Sequence, residues 1–153
     1  MKKGKLTVLH LKADSLTPEV ITIEHSIKAM QELVGSRCFD IVPAAGYLPD
    51  ILIKSPLAKY DIFIDDESLL VSNPQPNICL NPLKLAAGEL DYAGILFGDI
   101  FLAGRDGEKT ISIDIADASE LTQILIGLML KNQARLEVMQ WDSTAILGKH
   151  WIL

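Results

Sequence analysis

Four carboxylates are the first residues whose types could do chemistry: Asp61, Asp65, Asp66 and Asp99. A hard cation such as Mg²⁺ takes oxygens of this kind. Their spacing argues against a ready-made site. Asp61 and Asp65 lie about 13 Å apart along an extended strand, and no lysine follows them in the acid–acid–lysine order of a nuclease. His10, His25 and His150 are scattered, and Cys38 and Cys79 lack metal-ligand spacing and have no histidine beside them. There is no Gly-x-Ser-x-Gly elbow and no glycine-rich phosphate loop. A metal-dependent enzyme is therefore the third reading. The expectation is a protein without catalysis and without a cofactor.

The same acids support a binding reading. The net charge of the 153 residues is −6, but it is unevenly placed. Residues 1–60 carry a net +2, residues 61–120 a net −9 and residues 121–153 a net +1. An acidic middle does not suit a protein that grips phosphates, so no direct nucleic-acid contact is expected. It does suit a basic protein partner, with attraction that weakens in salt. Asp65, Asp66, Glu67, Asn81 and Asp99 are the candidate binding residues. The bland alternative is that the acids fill solvated turns and that Asn81 only caps a helix.

These residues must be held by elements that the pattern predicts. Lys5–Lys12 alternates as a strand and Glu19–Ile23 is a β-branched run, plausible as its hairpin partner. Ser26–Val34 places Ile27, Met30, Leu33 and Val34 on one helical face, with Ser26 or His25 as N-cap and Gly35 as C-cap. Strands follow at Arg37–Val42, at Ile51–Lys54 on an edge, and at Tyr60–Ile64, which leads into the acidic turn and a return at Leu69–Val71. Asn81-Pro82 then opens a short helix, Leu83–Ala87, closed by Gly88. Gly94–Gly104 is apolar on both faces and reads as a central strand, with Asp99 as its odd residue. A turn at Gly104–Gly107 returns the chain through Lys109–Ile115. A helix from Ala118 to Gln133 carries two apolar stripes, capped by Asp117 and Glu120. A last strand is expected at Arg135–Trp141.

The sum is an α+β domain, a mixed or mainly antiparallel sheet with two principal helices and one short helix. It spans residues 1–134, with a strand or tail at 135–153 packing on the domain or on another subunit. Length and composition, 49% hydrophobic and 22% charged, are those of a folded chain. No export signal and no membrane-spanning run are visible, since the longest apolar run, 124–130, is short and broken by Gly127. A cytoplasmic protein with reduced thiols is expected. Ile126 and Leu130 on the second helical stripe, and Trp151 in the apolar tail, are the candidate interface of a homo-oligomer.

The order of pieces resembles a known family. IEHSIKAMQELVG, YDIFIDDESLL, LNPLKLA and GILFGDIFLAGRDGEKTISI are similar, in that order, to a small family of unknown function common in phages, plasmids and other mobile elements. The matching features are Val34-Gly35, Asp65-Asp66-Glu67, Leu80-Asn81 and Gly98-Asp99, and the likeness covers roughly residues 5–120. It implies a phage or mobile-element setting and no transferable chemistry. In that setting a basic-surfaced host protein, such as a defence factor, is the natural partner. The alternative is an oligomer that sequesters a small molecule such as a nucleotide signal, with Arg37, Lys54, Arg105 or Arg135 in the pocket.

Overall fold

Alternation in the first strand sets the architecture. The computed structural model describes residues 4–13, 17–44, 59–67, 77, 85–86, 89–90 and 96–151, with side chains for all of these up to 134 except 85–86 and 89–90. The strand β1, Lys5–Leu11, sends Leu6 and Val8 to one face and Leu9 and Leu11 to the other. All four are buried, so both faces need a cover. Two helices supply it. The elements run β1, β2 (Glu19–Glu24), α1 (Ile27–Val34), β3 (Phe39–Pro43), β4 (Tyr60–Asp65), β5 (Leu85–Ala86), β6 (Glu89–Leu90), β7 (Ile100–Asp106), β8 (Lys109–Ile111) and α2 (Ile115–Trp151). Among the described residues six strands form one antiparallel sheet in the order β2-β1-β7-β4-β3, with β8 on β7. The fold is α+β, as the pattern implies.

On one face Met30 and Val34 of α1 meet Leu6, Val8, Phe63, Phe101 and Ala103. Phe63 and Phe101 stack with ring centroids 4.4 Å apart, an arrangement that adds about 0.5–1.5 kcal/mol to the area they bury. On the other face Ala118, Leu121, Leu125 and Met129 of α2 cover Leu9, Leu11, Ile62, Ile100 and Leu102. The caps of α1 are as expected. Ser26 accepts from the Ala29 N–H, and Gly35 ends the helix at φ 76°. Ile27 departs from the expected apolar stripe: at 67% exposure it sits on the open side of the first turn.

The sheet has a fork. β1 pairs β7 at Leu9, His10 and Leu11, then the two strands part. β8 and the residues after it fill the gap: the Thr7 N–H donates to Ser112 Oγ at 2.9 Å, and the Thr7 carbonyl accepts from the Ile113 N–H at 2.9 Å. This close approach requires Gly104, where an added Cβ would lie 2.9 Å from the Ser112 carbonyl oxygen.

Four boundary expectations are corrected. The central strand begins at Ile100, not Gly94, because Gly98 turns the chain at φ 80°. The β7–β8 turn is Gly107-Glu108, and the return strand ends at Ile111. Asp114, not Asp117, caps α2: its Oδ1 accepts from Ala116 N at 2.9 Å and Asp117 N at 3.2 Å. The expected strand at Arg135–Trp141 is a continuation of α2, which reaches Trp151. The short helix is also absent at its core: Leu85–Ala86 pairs with Glu89–Leu90 as a ribbon. Five residues between Pro82 and Gly88 are too few to propagate a helix without packing. The edge strand at Ile51–Lys54 and the return at Leu69–Val71 lie outside the described residues.

Candidate functional site

The antiparallel register gathers most candidate residues at one end of the sheet. Asp65 closes β4, Asp99 immediately precedes β7, His10 is next to last in β1, and Glu19 opens β2 opposite His10. Phe39 at the start of β3 pairs with Asp65. Asp61 belongs elsewhere. It stands opposite Ala103 near the other end, with its carboxylate 3.8 Å from Arg105. Arg105 is 42% exposed there, so the pair contributes little, of the order of 0–1 kcal/mol. The four aspartates of the metal reading therefore do not converge. Among the described residues no three His, Cys, Asp or Glu side chains come together.

The acidic turn is built by its own side chain. Asp65 Oδ1 accepts from the Glu67 N–H at 2.8 Å, an Asx turn, and the Asp66 N–H donates to the Cys38 carbonyl at 3.2 Å. One carboxylate thus fixes the backbone while Asp66 and Glu67 remain exposed. Asp40, exposed on β3, adds a further acid two residues from Cys38. Asp99 is the opposite case. Its Oδ1 accepts from the Ala13 N–H at 3.0 Å and ties the exit of β1 to the approach of β7. Asn77 reinforces the same junction, donating from Nδ2 to the Leu11 and Gly98 carbonyls at 2.9 and 3.0 Å.

Alternation in β1 places His10 on the same face as Leu6 and Val8. It is 6% exposed, and among the described residues its Nε2 has no hydrogen-bond partner. Burial pushes its pKa below the ordinary 6.5, opposed by the charge of Asp99 and a backbone hydrogen bond at Leu33. Asn77 carried no signal in the sequence, and Asp117 only that of a cap for the second helix. Asp117 is buried and accepts from the Tyr60 hydroxyl, which links α2 to β4.

The family-model comparison covers residues 5–125, the whole six-stranded sheet and the first three turns of α2. The chain belongs to the DUF3846 family, a domain of unknown function. No curated protein and no solved structure matches it. The family's span includes the acidic turn, Asp99 and His10, and stops before Ile126, Leu130 and Trp151. Those three candidate interface residues all lie on α2. Ile126 is partly buried against the core, Leu130 is 55% exposed, and Trp151 is the last residue of α2, its side chain outside the description. Asn81 and Lys54 also lie outside the described residues, as does the Arg135 side chain.

Shallow concavities also occur among the described residues. One, about 370 Å³, is lined by Lys28, Gln31, Glu32, Gly35, Ser36 and Arg37. Another, about 440 Å³, lies at the fork, with Lys5, His25, Lys109, Thr110 and Ser112 among its lining. No helix among the described residues is long and apolar enough to cross a membrane.

Proposed function

We propose that this DUF3846 domain is a non-enzymatic binding module that docks its acidic turn on a basic surface of another protein. The observation that supports this reading is the Asx-locked turn, where Asp65 is spent on the Glu67 N–H and the exposed Asp66 and Glu67 are displayed on a fixed backbone. A preorganised turn loses little conformational freedom on binding, so its charges act at low entropic cost. The mobile-element setting implied by the resemblance makes a host regulatory or defence protein the class of partner, bound and modulated in the cytoplasm. The test is a double reversal, Asp66→Lys with Glu67→Lys, against a partner captured from host cells and then purified. Affinity should drop about tenfold or more and fall with salt, with an unchanged melting temperature. Unchanged affinity for that purified partner would refute the acidic-turn reading.

A second reading rests on the fork concavity. Two lysines, a histidine and two hydroxyls form a lining suited to an anionic small molecule such as a nucleotide signal. Calorimetry with nucleotides, comparing the native chain with Lys5→Ala and Lys109→Ala, separates it from the first reading, because neither lysine is in the acidic turn.

A further inference from the structure

The two edges of the sheet are unlike. In an antiparallel ladder, residues alternate between those bonded inward and those whose N–H and C=O point away. Bonding of Asp66 N to Cys38 O places Asp40 and Val42 inward on β3, leaving Phe39, Ile41 and Pro43 facing out. That edge is blunted. Pro43 has no N–H, and the Ile41 N–H is occupied by Asp40 Oδ1 at 2.8 Å.

Among the described residues the β2 edge has no such device. His25 N bonds Gly4 O, which places Glu19, Ile21 and Ile23 inward toward β1. Val20, Thr22 and Glu24 therefore face out. All three are exposed, Val20 at 47%, and β2 ends the strand order among the described residues. The strand is β-branched from Val20 to Ile23 and contains no proline.

We infer that β2 pairs antiparallel with β2 of a second copy of this chain, about a two-fold axis through Thr22. The choice of a second copy rests on self-complementarity. With Thr22 on the axis, Val20 faces Glu24 of the other copy, Ile21 faces Ile23, and Glu19 faces His25. No like charges oppose one another. The partly buried Ile21 and Ile23 extend their apolar stripe across the axis, and Glu24 stands opposite Lys5 of β1 in the register. Every outward N–H finds a carbonyl. Glu24 O already accepts from Ser26 N at 2.8 Å and uses its second lone pair. Neighbouring registers are worse. Centring on Ile21 sets Glu24 against Pro18, which has no N–H, and centring on Ile23 recruits Ser26, which is committed to capping α1. The contact is isologous and closed, so it stops at two copies. It goes beyond the acidic-turn reading and leaves both turns free at the far edges.

Sedimentation equilibrium and native mass spectrometry test it. The native chain should form a species of twice 16.8 kDa. Thr22→Pro removes an N–H that points away from β1, and Thr22→Lys sets two ammonium groups against each other on the axis. Each should weaken association about tenfold or more while circular dichroism keeps the native spectrum. If the proline variant misfolds, the lysine variant decides. Glu19→Lys should weaken the dimer, and adding His25→Glu should restore it. A native chain that remains at 16.8 kDa at the highest soluble concentration overturns the inference. So does a dimer that survives folded Thr22→Lys, or one that is dissociated instead by Leu130→Glu on α2.

Discussion

Removing one oxygen, Tyr60→Phe, should destabilise the protein without altering its shape. Tyr60 and Asp117 are each 3% exposed, and the phenol donates to Asp117 Oδ2. The phenylalanine ring fills the same space, so the loss falls on what the hydroxyl touches, foremost the bond to Asp117. A bond to a charged acceptor is worth about 1.5–3 kcal/mol, and a buried carboxylate short of a donor keeps its desolvation cost. In a domain of this size each kcal/mol moves the melting temperature by about 2–4 °C. The midpoint should therefore fall by roughly 3–12 °C. Urea unfolding followed by circular dichroism measures the free energy directly. The same substitution in an Asp117→Ala background should cost under about 0.5 kcal/mol, because the acceptor has gone. The reasoning is refuted if Tyr60→Phe alone costs less than about 0.5 kcal/mol, or if its cost is the same in both backgrounds.

Two further outcomes are expected at the sheet end. Asp99→Asn keeps an oxygen for the Ala13 N–H and should be nearly neutral, whereas Asp99→Ala should cost about 1–3 kcal/mol; equal losses in thermal melts would show that the charge matters and the bond does not. Either change removes an attractive charge from His10, so NMR titration should place the imidazole pKa lower still. Because burial holds His10 below 6.5 in the folded chain, the unfolded chain takes up a proton first as pH falls. Its contribution to stability is whole above 6.5 and is lost progressively just below it. His10→Gln should flatten the stability curve in that window, and an unchanged slope in urea titrations would contradict the assignment.

Local chemistry was legible where one residue type has one strong preference. Gly35 ends α1 as read and Ser26, one of two candidate caps, opens it; the β1–β2 hairpin follows from an alternating run and a β-branched one. The apolar Gly94–Gly104 run did mark a central strand, but Gly98 hid its true start, since a left-handed turn leaves the hydrophobic pattern unbroken. Asp114 and Asp117 are both plausible caps by type, and only the approach of Tyr60 decides between them. The helix beyond Gln133 was missed because Arg135–Trp141 alternates well enough for a strand while its composition also suits a helix. At the site, the Asp65–Glu67 turn could be located but not its Asx lock. Asp99 could be marked as anomalous, yet its partner Ala13 lies 86 positions away. Nothing in sequence spacing reports a contact of that range.

The placement of β7 carries a consequence for how the chain is made. Residues 5–65 hold four of the six sheet strands, but only as two separate pairs, β1 with β2 and β3 with β4. Isolated hairpins are marginal in water. They become one sheet only when β7 arrives between them, and Thr7 waits for Ser112, 105 positions later. During synthesis the apolar flanks of β1 and β4 therefore emerge long before their cover. Such distant pairings fold in milliseconds to seconds, not microseconds. Nearly three quarters of the chain must leave the ribosome before any of it can commit, so its exposure to chaperones and to its own unfinished edges is set by a single late strand.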